Sequence, residues 1–436
     1  MYTNYKEKYH QAIENLEQTD EELLSLLVQE DLRQQQSLLM IAASSIAFDE
    51  VLAASASNVM NVTLEGYVGH RFHGGTKVAD KIETLAIERA KKIFKAQYVN
   101  VQPLSCSIAN YSILFSFLAP GDTILSLSLS SGGHLTHGAP VSISGKYFNI
   151  VNYRLNQDGY IDYENVEYLA KLYRPKIIIA GASAYTRLID YKRFREIADQ
   201  VESFLLADIS HISGLVAAGI IPSPIDYAHF TTTSTYKQLY GPHGGLICMG
   251  KDANMIYQKK KLSVLVDHAI FPMTQGTPDM SIVAAKAASF KKIDSLEFKL
   301  IMEKVVKYSK LLADLFIQKN YKVLTGGTDN HMIIIDILIS KGLTGVIAEK
   351  ALEKCNIIIN KNIIPNDTKS AFITSGIRLG TNSIAIKDSI TENTLTDIVD
   401  LIDHIFDFVK PIDDKQFTLD DEIILSASSQ VKDWCE

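Results

Sequence analysis

His229-Phe-Thr-Thr-Thr-Ser-Thr-Tyr-Lys-Gln-Leu-Tyr-Gly-Pro-His-Gly-Gly-Leu-Ile247 is the segment from which the rest of the chain can be read. Five hydroxyl residues, Thr231 to Thr235, precede Tyr236 and Lys237. Such a threonine run favours a strand, so the lysine is expected at a strand end. Gly241-Pro242 then turns the chain sharply, and Gly244-Gly245 allows backbone to approach a neighbour or ligand before the apolar run Leu246 to Met249. A lysine there, screened from water, can form a Schiff base with an aldehyde. A surface lysine on a loop is the other reading, and the segment alone does not decide between them.

Strands and helices alternate on both sides of this segment. Predicted strands are 98–101, 123–129, 147–153, 176–180, 204–208, 230–234 and 245–249, with helices over 107–118, 163–172 and 191–200. Short apolar strands alternating with helices imply an α/β fold, a mostly parallel, doubly wound sheet of seven strands. Ligands of such sheets bind at the carboxyl ends of the strands. Ser183, Asp208 and Lys237 all fall at or just past predicted strand ends.

Upstream, residues 1–45 predict an N-terminal helical arm, with Leu23, Leu24, Leu26, Leu27 and Leu32 at helical spacing. That apolar face needs a surface, either another subunit or the arm's own domain. Glu65 to Gly75, rich in glycine, aromatic and charged residues, is too irregular for a helix and suits a site loop. Residues 80–96 form a strongly periodic helix, with Ile82, Leu85, Ala86, Arg89 and Ile93 near one face. The large domain is expected over 46–290. From 291 to 436 the texture changes to a smaller α+β domain, with a polar tail from Lys410 expected to be partly loose, although Trp434 suggests a docking point.

The 436 residues are 47% hydrophobic and 21% charged, an ordinary globular composition, and the net charge of -7 argues against nucleic acid or an acidic membrane surface as partner. Cys106, Cys248, Cys355 and Cys435 are scattered, with neither disulfide nor zinc spacing. No apolar run approaches transmembrane length and the N-terminus lacks a signal core, so a cytoplasmic protein is expected.

Four further motifs carry chemistry. Ser105-Cys106-Ser107 opens a helix, where hydroxyls and free N–H groups suit a phosphate, although plain N-capping uses the same residues. Gly132-Gly133-His134-Leu135-Thr136-His137-Gly138 pairs two histidines without further metal ligands nearby. No metal is expected; His134 suits a ring stacked on a planar cofactor, with His137 structural. Asp208-Ile209-Ser210-His211 ends an apolar strand, where a carboxylate would hold a proton on a pyridine nitrogen or simply cap a helix. Arg378, in Gly376-Ile377-Arg378-Leu379-Gly380, is a fork for a substrate carboxylate or half of a surface ion pair.

Taken together, the ordered motifs resemble the serine hydroxymethyltransferase family, fold-type I enzymes dependent on pyridoxal 5′-phosphate. Beyond those above, the resemblance rests on Glu65-Gly-Tyr, Arg71-Phe-His-Gly-Gly, Leu85-Ala-Ile-Glu-Arg-Ala, Gly326-Gly-Thr-Asp-Asn-His, Pro365-Asn-Asp and Thr374-Ser-Gly-Ile-Arg, and it runs from about Ile41 to Val409. It implies that Lys237 is the Schiff-base lysine, Asp208 the pyridinium partner and His134 the stacking ring. Ser183 and His211 would contact the cofactor's oxygen, Ser105, Cys106 and Ser107 its phosphate, and Ser234, Tyr236 and Thr277 would complete the cofactor set. Gly276 resembles the glycine that closes the phosphate site of a neighbouring subunit, which implies a homodimer or higher assembly. Arg378 would anchor the carboxylate of an amino-acid substrate, with Glu65 as catalytic acid–base group. Phe72, Leu129, Gly133, Leu135 and Asn362 sit where tetrahydrofolate, the one-carbon cosubstrate, would be held.

Departures from the family pattern cluster around the substrate. Tyr236 stands for a histidine, His243 for an arginine, Ala43-Ser44-Ser45 for Ser-Glu-Asn, and Thr63 and His73 for tyrosines. Serine–glycine interconversion is therefore the expected activity. A folate-independent aldolase or transaldolase is the second reading and a degenerate, non-catalytic homologue the third.

Overall fold

All seven predicted runs become one sheet. The computed structural model describes residues 2–436. Its strands are β1 (Tyr98–Asn100), β2 (Thr123–Leu127), β3 (Asn149–Tyr153), β4 (Ile177–Gly181), β5 (Phe204–Asp208), β6 (Phe230–Ser234) and β7 (Gly245–Met249), in the order β1-β7-β6-β5-β4-β2-β3. Only β7 runs against its neighbours. The central strands are buried on both faces, which is why β4 reads Ile-Ile-Ile-Ala-Gly without alternation. Two boundaries differ from expectation. Ile143–Tyr147 closes into a short helix, so β3 starts at Asn149, and β2 stops at Leu127 because Leu129–Ser131 form a tight turn capped by the Ser128 hydroxyl.

The chain opens with α1 (Tyr2–Thr19) and α2 (Glu21–Gln35); α3 (Lys77–Phe94), α4 (Cys106–Phe117), α5 (Tyr163–Tyr173) and α6 (Tyr191–Gln200) pack on the sheet, and α7 (Met280–Ile293) packs on α3. Helix α2 buries none of its residues, and Leu23, Leu26, Leu27 and Leu32 stay exposed. The two helices of the arm leave this face uncovered, whereas Leu38, Met40 and Ala42, expected as part of the helical arm, are extended or coiled and buried on their own chain. No described helix is long and apolar enough to cross a membrane.

Helix α3 buries Ala86 and Ile93 and half-buries Ile82 and Arg89 as expected, but the stripe is turned to take in Ala79, Glu83, Ala90 and Phe94 and leaves Leu85 exposed. Glu83 turns the helix because its carboxylate has a buried partner. Arg71, with a 2% exposed side chain, pairs with Glu83, donates through Nε to Asp80 at 2.9 Å, and donates to the carbonyls of Leu64 and Gly66. Gln102 completes the set, donating to Glu83 Oε1 at 2.8 Å. These bonds tie the Glu65 loop to α3. Arg71→Ala strands a buried carboxylate and is expected to lower stability by about 3–5 kcal/mol. A urea titration checks it, and a loss below about 1 kcal/mol would mean that the pair is solvated.

The smaller sheet comprises β8 (Lys322–Val323), β9 (Met332–Asp336), β10 (Asn360–Asn362) and β11 (Gly376–Gly380), antiparallel in the order β8-β9-β11-β10. It is covered by α8 (Leu296–Gln318), α9 (Gly345–Lys354) and α10 (Glu392–Phe408). Residues Leu38–Leu39 pair in parallel with Ile357–Ile358, and Gly380 donates its N–H to the Met40 carbonyl at 2.7 Å. A Cβ on Gly380 would stand 2.4 Å from Ala42 Cα, so only glycine permits this crossing. The tail is not loose. It forms α11 (Asp421–Cys435), which buries Ala427 and Val431, and the Ser389 hydroxyl donates to the Trp434 carbonyl at 2.8 Å.

Candidate active site

The carboxyl ends of β4, β5 and β6 and the start of α4 surround a cavity of about 130 Å³. It is lined by Ser105, Cys106, Ser107, His134, Ser183, Asp208, His211, Ser234, Tyr236, Lys237 and His243 from the expected set, together with His137, Ala182 and Ser210. A larger cavity of about 680 Å³ opens between residues 155–160, 322–326 and 363–368. It holds none of the expected site residues, and chemistry rather than volume decides between them.

Lys237 is 7% exposed, and its amine makes no hydrogen bond or ion pair to a described residue. Burial pushes its pKa below the ordinary lysine value, against the pull of Asp208. More of the amine is therefore free at neutral pH, as a nucleophile requires.

Asp208 is held from both sides. Ser210 donates to Oδ1 through its amide (3.0 Å) and hydroxyl (2.6 Å), while Asn110 Nδ2 (2.9 Å) and His137 Nε2 (3.0 Å) bond Oδ2. Burial opposes the charge, but the His137 and Ser210 hydrogen bonds and the neighbouring imidazoles keep this carboxyl well below its usual range. Such an anion suits a protonated pyridine nitrogen. His137 is thus structural, as expected, but its work is on Asp208. The carboxylate also lies 3.7 Å from the Cys106 thiol, which burial and Asp208 both push up, so the thiol stays protonated.

Ser105 caps α4, its hydroxyl accepting from the Ile108 N–H at 3.1 Å, so capping and anion binding meet at one helix start. His211 stacks near His331, and Nδ1 of each ring is buried with no hydrogen-bond partner. Arg378 reaches the site from β11. Its Nε donates to Asn360 Oδ1 at 3.1 Å and its Nη1 to the Ser183 carbonyl, while no described carboxylate lies within ion-pair distance. Burial pushes this guanidinium down to about 10, and it stays charged near neutrality. A buried cation, unpaired, with polar neighbours that only orient it is a receptor for an anion.

Three departures from the family pattern touch one another. The Tyr236 and His243 rings stack with centroids 3.8 Å apart and planes 9° apart, and the Ser45 hydroxyl donates to the Tyr236 carbonyl.

The remaining expected residues lie outside this cavity. Glu65 and His73 pair at 3.4 Å on a half-exposed surface, where a Cβ on Gly276 would stand 3.4 Å from Glu65 Oε1. Thr277 Oγ1 accepts from the Leu64 N–H at 2.7 Å, Phe72 leans on Phe271, and Thr63 is exposed close by. Leu129 and Leu135 are exposed, flanking buried Gly133, and Asn362 lies on β10. The reading of motifs missed Asn110 and Ser210 among the residues holding Asp208. Only the two-residue spacing from Asp208 to Ser210 could have hinted at them.

The buried imidazoles set a pH limit. Burial pushes His134 down to about 4 and His331 to about 3, from an ordinary 6.5. Above 6.5 both rings are neutral in the folded and unfolded chain. Below it only the unfolded chain takes the protons, so stability falls as pH drops from 6.5 towards about 4, by up to about 1.4 kcal/mol per pH unit for each ring. Urea midpoints at pH 7.5, 6 and 5 should fall in that order; a flat series would mean that the rings are hydrated.

A family model described as serine hydroxymethyltransferase matches residues 16–402. A protein of Baumannia cicadellinicola subsp. Homalodisca coagulata, named serine hydroxymethyltransferase, is 45% identical over 370 residues, covering 85% of this chain and 87% of its own.

Proposed function

The chain belongs to the serine hydroxymethyltransferase family, and from that premise we propose that it interconverts serine and glycine, with pyridoxal 5′-phosphate as cofactor and tetrahydrofolate as one-carbon carrier. The observation that carries this reading is a buried, unpartnered lysine in one cavity with a buried carboxylate, beside an unpaired guanidinium.

The donor set fits the cofactor: a helix start with the Ser105 and Ser107 hydroxyls for a phosphate, a carboxylate for a ring nitrogen, a free amine for an aldehyde, and the orphaned His211 Nδ1 for a polar atom, while the Cys106 thiol is taken up by Asp208 and Ser210. When bound, the cofactor supplies an electron-withdrawing ring that stabilises negative charge at the substrate Cα. Lys237 would hold the cofactor through its amine. Asp208 would hold a proton at the ring nitrogen, and His134 would lie against the ring. Arg378 binds and orients the substrate carboxylate. Glu65 moves a proton at the substrate hydroxyl or the folate.

Glu65, Thr63, Phe72, His73, Gly276 and Thr277 are assigned to the cavity of a second protomer, since they share one exposed patch of their own chain. The uncovered arm supports the same homodimer. Leu129, Gly133, Leu135 and Asn362 would hold the folate. A cytoplasmic location follows from this role in small-molecule metabolism.

One observation favours a second reading. The Tyr236–His243 stack lines the cavity, and such a wall would suit an aldolase taking another aldehyde. Visible spectroscopy of the cofactor-loaded protein with glycine separates the two. A long-wavelength band that grows on adding tetrahydrofolate supports the transferase. A glycine-dependent band indifferent to folate supports the aldolase, and failure to take up cofactor sinks both.

A further inference from the structure

Two residues outside every expected motif role connect His134 to Asp208. Asn110, one turn into α4 and fully buried, uses both hydrogens of its amide: one on Asp208 Oδ2 at 2.9 Å, the other on Thr136 Oγ1 at 2.9 Å. Its Oδ1 accepts from the Thr232 hydroxyl at 2.6 Å, so the amide has one orientation only. A flipped amide would set oxygen against the Asp208 carboxylate.

Thr136 passes the constraint on. Its hydroxyl lies 2.8 Å from His134 Nδ1, and its own N–H donates to that nitrogen at 3.2 Å. Nδ1 is therefore an acceptor and the ring proton sits on Nε2. The loop then closes through His137: the His134 N–H donates to His137 Nδ1 at 3.4 Å, and His137 Nε2 bonds Asp208. Every hydrogen bond in this circuit lies within buried or half-buried side chains, where leaving a donor or acceptor unmade is costly.

We propose that Asn110 and Thr136 are positioning residues that tie the plane of His134 to the carboxylate of Asp208, so that one hydrogen-bonded unit sets both the ring above a bound cofactor and the acceptor at its nitrogen. This rests on the cavity being the cofactor site. Neither residue touches the reacting atoms. Asn110→Leu keeps the approximate shape but removes both donors, whereas Thr136→Val removes the hydroxyl that joins Asn110 to His134 and leaves only the backbone N–H on Nδ1.

The test is nitrogen-15 NMR of the histidine rings in cofactor-free protein, paired with steady-state kinetics of the loaded enzyme. Thr136→Val is expected to move the His134 ring signals out of the single Nε2–H tautomer, while Thr136→Ser, which keeps the hydroxyl, retains them. Asn110→Leu should move the signals of His134 and His137 together. Both Thr136→Val and Asn110→Leu should lower kcat by about tenfold, the size of one lost hydrogen bond to a charged or catalytic group, with the serine KM within about twofold. The double variant should be no worse than Asn110→Leu, since a unit fails once. Unchanged His134 signals in Thr136→Val, or kcat losses that multiply in the double variant, would overturn the proposal. If Asn110→Leu does not fold, the Thr136→Val and Thr136→Ser pair decides alone. Should wild-type protein take up no cofactor, the cofactor reading fails, and the ring signals, recorded without cofactor, still report on the unit.

Discussion

Lys237→Ala is expected to lower serine–glycine interconversion by about three orders of magnitude or more, because the proposed attachment point of the cofactor is lost. Two lysines are deeply buried, and lowered basicity alone does not separate them: burial pushes both down, Lys286 to about 7. Their partners do. Lys286 donates to the carbonyls of Val101 (2.7 Å), Pro103 (3.0 Å) and Gly245 (2.9 Å), which uses all three of its hydrogens. Lys237 bonds nothing and lines the cavity. Borohydride reduction of the loaded protein should therefore fix cofactor mass to a peptide containing Lys237 and to none containing Lys286. In Lys237→Ala the reduction should attach nothing, while Asp208 and the α4 start still bind cofactor without a covalent bond. Attachment that survives the substitution, or turnover within about tenfold of wild type, would move the role to another amine.

That assignment came from local signals, and its legibility has a physical basis. A parallel strand buried on both faces must be apolar throughout, so 177–181 and 204–208 announce themselves, and ligands gather where such strands end. Lys237, Asp208 and Ser183 could be placed by that rule alone. Helix α7 could not. Met280–Ile293 is alanine-rich and buried on several sides, so it offers no single stripe to detect. The face of α3 was misread for the opposite reason, since a charged residue, Glu83, points inward to meet Arg71.

Asn110 and Thr136 were hidden because their meaning is made by packing. Each is ordinary in its own element, a polar residue in a helix and a threonine in a tight turn. Only the folded chain brings Asn110 within 2.9 Å of both Thr136 and Asp208. The same holds for Tyr236 and His243, seven positions apart in the sequence and each a departure from the family pattern when read singly. Stacked, they are one replacement of a wall rather than two losses.

Arg378→Lys is expected to raise the KM for serine about 100-fold, and Arg378→Ala further still, with cofactor uptake unchanged. The register places Arg378 opposite Ile334 on β9 and Asn360 on β10, so its backbone is fixed by strands on both sides. Asn360 and the Ser183 carbonyl then take Nε and Nη1, which leaves the rest of the fork to meet a carboxylate. A lysine keeps one charge but gathers its donors at one nitrogen, so it loses the planar fork that reaches Asn360 and the Ser183 carbonyl while facing a carboxylate with paired N–H groups. It would also be buried at a site with no anion to hold its proton until substrate arrives, which favours the neutral amine. The loss should fall on KM more than kcat, because the carboxylate is held equally before and during reaction. Steady-state kinetics against serine, with a cofactor titration of the same preparations, checks this. A KM within about twofold of wild type would mean that the substrate carboxylate lies elsewhere, and the orphaned nitrogens of His211 and His331 would be the next place to look.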